Sequence, residues 1–412
     1  MVNFVKNNNY SKDWKRITIC GGGNGAHALM ALLAENCGCQ LTLYLPLEQE
    51  FQHFEAVKNR RIPFRLIFKD KEFSVTMNRL HITSNPKEAA ADLIILVVPA
   101  FTHEDILNAL APYLRSGTVL AALPARGGFE FQAVEILRQH KKEEVVIAGF
   151  QTLPWACRIK EYAKCVEIYG QKKRVGVASL PCHHVDSISM AFNKFLKLEF
   201  LPYNNMLELT LNNQGQIIHP GIMYGAFSDK LSRFYRRDEV PLFYRSVDEN
   251  SAGLLEAMSQ EILKVKKIIE DNSSLKLEGV ISTSQWMVES YAEDIKDKST
   301  LSKMFRTNLS YQTLRVPVKP VDGLYQIDVK SRYLTEDIPY GLLVSKAIAE
   351  LADVPTPTID EVIQRASKWV GVQYLINGKL KGKDLVKTRI PQNFGLKSLK
   401  AITEMVTKDH PY

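Results

Sequence analysis

The sequence predicts an α/β plus all-α architecture, with an N-terminal Rossmann-type, doubly wound parallel sheet followed by a helical domain. Three observations predict it. Short apolar runs alternate with helical patterns in the first half, and a glycine-rich turn joins the first such run to the first helix. Beyond residue 205 the periodic segments become long and helical. Alternation of strands and helices means a parallel sheet covered on both faces. At 412 residues the chain also exceeds what one core usually covers.

In chain order, Arg16–Gly21, Leu41–Leu45, Leu93–Ala100, Thr118–Pro124 and Val145–Phe150 read as buried strands. Each is short, rich in Ile, Val and Leu, and bounded by Gly or Pro. Between them, Gly25–Asn36, His103–Leu114 and Phe129–His140 carry helical patterns. Phe64–Phe68 and Phe73–Met77 flank a polar turn and read as an inserted hairpin, while Cys165–Tyr169 and Arg174–Ala178 read as strands closing the domain. The character changes near Pro202, which divides the chain into residues 1–203 and 204–412. Asn250–Ile269, Ser284–Ile295, Tyr340–Leu351 and Thr358–Val370 then read as helices, and no comparable strand recurs.

Composition excludes several classes. The net charge of +8 sets 53 basic against 45 acidic residues, without the concentrated stripe or tail of a nucleic-acid binder. The densest basic run, Lys379, Lys381, Lys383, Lys387 and Arg389, is broken by apolar residues and reads as solvated surface. The longest apolar run, Leu93–Ala100, is too short to span a bilayer, and residues 1–15 lack the apolar core of a signal peptide. The six cysteines contain no CxxC pair, and no His or Cys cluster completes a metal site around Cys37 and Cys39. They read as reduced thiols of a cytoplasmic protein that binds no metal, membrane or nucleic acid.

Residues 21–26 follow the G-x-G-x-x-A pattern, directly after a strand and directly before a helix. Gly21 permits the tight turn, and Gly23 admits a pyrophosphate to the backbone. Ala26 allows close helix–strand packing, and the helix N-terminus, with Asn24 and Gly25, faces the negative charge. The loop therefore predicts a dinucleotide. No acid ends the second strand, where NAD folds usually hold the ribose; the first one after it is Glu48. Arg60 and Arg61 suit a 2′-phosphate, so NAD and NADP both stay open. Pro99, ending the strand at Val98, is placed near the cofactor because ligands sit outside the carboxyl ends of the strands.

Two polar segments of the second half stand out, Gln216–Gly221 around His219 and Ser331–Gly341 around Arg332, Glu336 and Asp337. In the latter, Thr335 followed by acids and a proline reads as a helix start. These segments, with Leu153-Pro154-Trp155-Ala156-Cys157-Arg158-Ile159-Lys160, His219-Pro220, Pro241–Tyr244, Gln285-Trp286 and Gly382–Asp384, are similar to the octopine-type opine dehydrogenases. The resemblance covers nearly the whole chain after its first dozen residues. It implies NADH-dependent condensation of pyruvate with the amino group of an amino acid, through an imine that hydride reduces. It also implies that His219 is the general acid/base and Asp337 its orienting partner. Arg332 would reach the cofactor and draw the domains together. A monomer and a role in regenerating NAD+ during anaerobic glycolysis follow from the same resemblance.

For the amino acid, Gln151 supplies an amide where an acid would suit a guanidinium, and Arg126 follows the fifth strand at the carboxyl end of the sheet. If Arg126 faces the pocket, it repels a guanidinium and favours glycine, alanine or taurine. Cys157 and Trp286 complete the expected substrate contacts. Two other classes compete: a Rossmann dehydrogenase of hydroxy acids with a lysine base, and a non-catalytic NADH sensor. A sensor needs neither His219 nor Asp337.

Overall fold

The computed structural model describes residues 14–69, 71–77 and 80–407; the polar start considered above lies largely outside them. Twelve strands occupy the first half: β1 (Arg16–Cys20), β2 (Gln40–Tyr44), β3 (Phe64–Phe68), β4 (Lys71–Val75), β5 (Leu80–Thr83), β6 (Leu93–Leu96), β7 (Val119–Ala122), β8 (Val146–Phe150), β9 (Trp155–Glu161), β10 (Cys165–Gln171), β11 (Arg174–Leu180) and β12 (Glu199–Pro202). The helices among them are α1 (Asn24–Asn36), α2 (Glu48–Asn59), α3 (His103–Leu110), α4 (Phe129–Gln139) and α5 (Val185–Leu196).

Eight strands form one sheet in the order β12-β11-β8-β7-β6-β1-β2-β5. Six of them, β5-β2-β1-β6-β7-β8, run parallel. That is the doubly wound order of two mononucleotide halves, with its reversal point between β1 and β6. Strand β11 runs antiparallel to β8 and carries β12 at the edge. The inserted hairpin β3–β4 joins β10 and β9 in a separate four-stranded sheet. Strand β6 places Ile94 and Leu96 on one face and Leu93 and Ile95 on the other, the two-residue alternation of a strand buried on both sides.

The second half is built on α6 (Met206–Leu211), α7 (Gln214–Phe227), α8 (Glu249–Asp271), α9 (Thr283–Tyr291), α10 (Leu301–Thr307), α11 (Arg332–Thr335), α12 (Leu343–Leu351), α13 (Pro357–Val370) and α14 (Leu399–Thr407). Glycine controls the central contact. A Cβ on Gly221 would lie 2.4 Å from Leu255 of α8, so α7 packs its small face on α8 and presents His219 elsewhere. One apolar core continues from Ile94, Leu120 and Ile147 of the sheet to Met223, Leu255 and Ile348 of the helices.

Four expectations need correction. The second half does contain strands: β13 (Phe234–Tyr235), β14 (Val318–Val321) and β15 (Leu324–Ile327) form a small sheet, and β16 (Leu375–Ile376) pairs with β17 (Lys379–Leu380). They are too short and too exposed to show an apolar run. Thr335 ends α11 instead of starting a helix, and its hydroxyl bonds back to the Ser331 carbonyl at 3.1 Å. Cys37 and Cys39 are joined by a disulfide, so these two are not thiols. Arg389 is wholly buried, because its guanidinium finds acceptors in the other half of the chain.

Candidate active site

The phosphate loop is made of backbone and small residues. Gly21 has φ +113°, and a Cβ there would lie 2.5 Å from Val98 and 3.0 Å from the Val97 carbonyl; only glycine fits this crossing of β1 and β6. Gly23 differs. A Cβ on it would meet nothing within 4 Å, and no side chain caps the N-terminus of α1. Its N–H groups are thus free to face an anion. The other predicted residues of the loop act from behind. Asn24 Oδ1 accepts the Ile159 N–H at 2.8 Å, Gly25 leaves room for Leu153 and Val97, and Ala26 is buried. His27 Nδ1 lies 3.0 Å from the Gly23 carbonyl, and its Nε2 accepts the Ala163 N–H at 3.0 Å. Burial lowers this imidazole to about 4, so it stays neutral and ties the loop to the β9–β10 hairpin.

An acid does reach the phosphate loop, from α2 instead of from the end of β2. A Cβ on Gly22 would lie 2.7 Å from Glu50 Oε2 and 2.4 Å from the Tyr162 hydroxyl. Burial raises the Glu50 carboxyl. Arg60 and Arg61 follow the far end of α2, about 18 Å along the helix from its start.

Across the cleft, α7 and the segment after α11 bring together the two residues marked as an acid/base pair. His219 Nδ1 lies 2.7 Å from Asp337 Oδ2, and the imidazole stacks on Tyr333 with ring centroids 4.1 Å apart. Nε2 is 3.0 Å from the Tyr244 hydroxyl. Burial alone would raise the Asp337 carboxyl, but the charges of Arg126, His219 and Arg332 outweigh it and hold the group below its ordinary value. A carboxylate on Nδ1 fixes the tautomer and leaves Nε2 to face the cleft. Burial also holds the Tyr244 phenol far above its usual range.

A cavity of about 410 Å³ lies in front of this pair. Its walls include Pro124 and Arg126 after β7, Gln151 after β8, and Trp286 of α9, so both halves of the chain contribute. Its charged walls are Arg126, Lys172, Arg332 and Asp337.

Four sequence expectations change in detail. Arg126 does face the cavity, yet its Nη1 is 2.6 Å from Asp337 Oδ1 and its Nε is 3.6 Å from Glu336 Oε1. Its charge is therefore shared with two buried carboxylates before any substrate enters. Gln151 lines the cavity, with its amide held between the Asn212 carbonyl and the Gly176 N–H at 3.3 Å each. Cys157 is not on the cavity wall. It lies in the core of the N-terminal half, where burial pushes its thiol up to about 11, because β9 alternates Trp155 and Cys157 inward with Ala156 and Arg158 outward. Arg332 stands at the rim, 55% exposed, and pairs with Glu336.

Residues with no site role in the sequence reading hold the two halves together. Glu336 Oε1 accepts the Ala100 N–H at 2.9 Å, at the turn that Pro99 opens. Arg389 donates to the Ala100 carbonyl at 2.9 Å, the Ala125 carbonyl at 3.2 Å and Gln132 Oε1 at 2.8 Å. Burial lowers that guanidinium only to about 10, so it remains charged. The turns after β6 and β7 are thereby fastened to the helical half.

A doubly wound sheet with a glycine-rich turn after β1, and a histidine–carboxylate pair on a cavity that both halves line, have the make-up of a dehydrogenase. Residues 202–370 match the family model described as NAD/NADP octopine/nopaline dehydrogenase, alpha-helical domain. The chain is 36% identical to the octopine dehydrogenase of Mizuhopecten yessoensis, over 94% of this chain and 98% of that one. It is 35% identical to the tauropine dehydrogenase of Arabella iricolor, over 94% and 99%. Among solved structures, octopine dehydrogenase in complex with NADH and agmatine superposes with a TM-score of 0.85 at 34% identity, covering 95% of this chain and 98% of that one. The chain belongs to the octopine dehydrogenase family. Among the described residues, no helix is long and apolar enough to cross a membrane.

Proposed function

We propose that this protein is an opine dehydrogenase, condensing pyruvate with the amino group of an amino acid and reducing the imine with NADH. The carrying observation is His219, bound through Nδ1 to the buried Asp337 and lining the same cavity as the turns after β7 and β8. The amine must lose a proton before it attacks the keto carbon, and the resulting carbinolamine must lose water. An imidazole fixed on one side by a carboxylate serves both steps from Nε2. Tyr244, on that nitrogen, is the group that substrate displaces or bonds. Hydride from the nicotinamide then reaches the imine carbon, with the pyrophosphate held at Gly23 and the N-terminus of α1. Glu50, beside Gly22, favours ribose hydroxyls over a 2′-phosphate and so supports NADH over NADPH.

The cavity supports a neutral amino acid over arginine. Among the described residues, Asp337 is the one carboxylate on its wall, and Arg126 and His219 already occupy it. A guanidinium would enter beside Lys172 and Arg332 with no free acid to meet, whereas substrate carboxylates or a sulfonate would be welcome. A monomer would carry the whole site, with the division at residues 203 and 204 separating the cofactor half from the acid/base half.

NADH oxidation with pyruvate and a panel of glycine, alanine, taurine, β-alanine and arginine tests this reading. Oxidation is expected only when an amino acid is present, and fastest with a neutral one. Oxidation with pyruvate alone overturns the reaction, and a preference for arginine overturns the choice of substrate.

A further inference from the structure

We propose that Arg126 is a positioning residue that sets the proton affinity of the His219–Asp337 pair, instead of a group that binds substrate. The inference rests on the acid/base role of His219 proposed above. Three observations carry it. First, the Asp337 carboxylate is divided between a guanidinium and an imidazole, with Oδ1 2.6 Å from Arg126 Nη1 and Oδ2 2.7 Å from His219 Nδ1. Second, the division takes place out of water. The Asp337 and Glu336 side chains are each 1% exposed and that of Arg126 17%, so the charges act on one another with little screening. Third, the backbone is committed to this aim. Arg126 adopts φ +61°, a left-handed conformation costly for a residue with a Cβ and kept where the surroundings demand it.

The residue behind His219 also makes room for the contact. Gly215, four residues before it on α7, would bring a Cβ 3.2 Å from Arg126 Nη1 and 3.6 Å from His219 Cε1. The guanidinium thus lies beside the imidazole as well as beside the carboxylate.

The sign follows from the charges. A carboxylate serving only His219 would favour the imidazolium more strongly. Arg126 withdraws part of that stabilisation and keeps Nε2 free to accept the proton of the amine. The other groups around the imidazole come from several elements. Tyr333 stacks on it and Tyr244 meets Nε2. Arg332, Lys172, Tyr291 and Tyr311 line the same cavity. Glu336 stands behind Arg126 and competes with Asp337 for it. The cation also crosses from the turn after β7 to the segment after α11, so forming the contact requires the two halves to be docked. Base strength and interdomain alignment are therefore set by one side chain.

The test compares pH profiles of kcat/KM for Arg126→Gln, Arg126→Lys and Glu336→Gln with the wild type. In Arg126→Gln the acidic limb should move to higher pH, so that its activity falls about tenfold further at the acid end than at the alkaline end. Arg126→Lys, which keeps the charge, should hold the limb in place at lower kcat. Glu336→Gln, which leaves Arg126 wholly to Asp337, should move it to lower pH. Histidine NMR of the apo protein, with His219→Gln to identify the resonance, reads the same shifts without turnover. It therefore separates failure of this inference from failure of the proposed reaction. An unmoved limb and resonance in Arg126→Gln, with raised KM for pyruvate or amino acid, would show direct substrate binding and overturn it. If Arg126→Gln does not fold, a Glu336→Gln profile that stays in place or moves to higher pH overturns it equally.

Discussion

The glycine loop after β1 and the His219–Asp337 pair are built in opposite ways. Residues 21–26 work through main-chain N–H groups and the absence of side chains, and their geometry is fixed by one strand–helix turn. The pair at His219 and Asp337 works through side chains 118 residues apart, and its charge balance depends on Arg126 from the other half. A backbone site is local and tolerant of its surroundings. A side-chain site of buried charges fails when any one partner is missing.

Three experiments bear on this contrast, beginning with the largest effect. His219→Gln should lower kcat by about a thousandfold, within the usual worth of a general acid/base, while the Kd for NADH stays as in the wild type. Weakened NADH binding in that variant would join the two sites that the structure keeps separate.

Next comes acid stability on the loop side. The His27 imidazole falls from its ordinary value of 6.5 to about 4 in the folded protein. A group depressed in this way contributes its full stability above pH 6.5, and loses it as pH falls from 6.5 towards 4. The shift corresponds to about 3 kcal/mol across that window. His27→Gln should remove most of this dependence in chemical denaturation between pH 7 and 5. A slope equal to that of the wild type would mean that other histidines carry it.

The smallest effect is expected at Gly23. Because a Cβ there meets nothing, Gly23→Val should leave the Tm unchanged while costing about 2 kcal/mol of NADH binding, roughly thirtyfold in Kd. A lower Tm would show that the glycine serves the fold more than the cofactor.

Legibility in the sequence follows the same division. The glycine loop, the alternating strands and the long helices α8 and α13 are short-range patterns, and each was readable within a window of two dozen residues. His219 and Asp337 were marked by resemblance to a family; no local pattern separates a catalytic histidine from a structural one. Tyr244 and Glu336 lay in segments of the same resemblance with no role attached, and Arg389 gave less signal still. Arg389 sat in a run of lysines and resembled surface, although it is the most deeply held cation of the interface. Its partners Ala100, Ala125 and Gln132 lie more than 250 residues away. Cys157 was misplaced for a different reason. Membership of a family signature says nothing about which face of a strand a residue occupies, and in β9 the alternation turns it inward.

By itself the sequence determined the doubly wound sheet, the position of the dinucleotide loop and the helical second half, because periodicity and glycine spacing act over a few residues. Tertiary structure alone decided where the charges went. Arg126, expected on the cavity wall, also pairs with Asp337, an acid beside the glycine loop came from α2, and a lone arginine near the C-terminus became the fastening between the halves. Burial and ion pairing depend on which groups meet in space, and a linear chain does not record that.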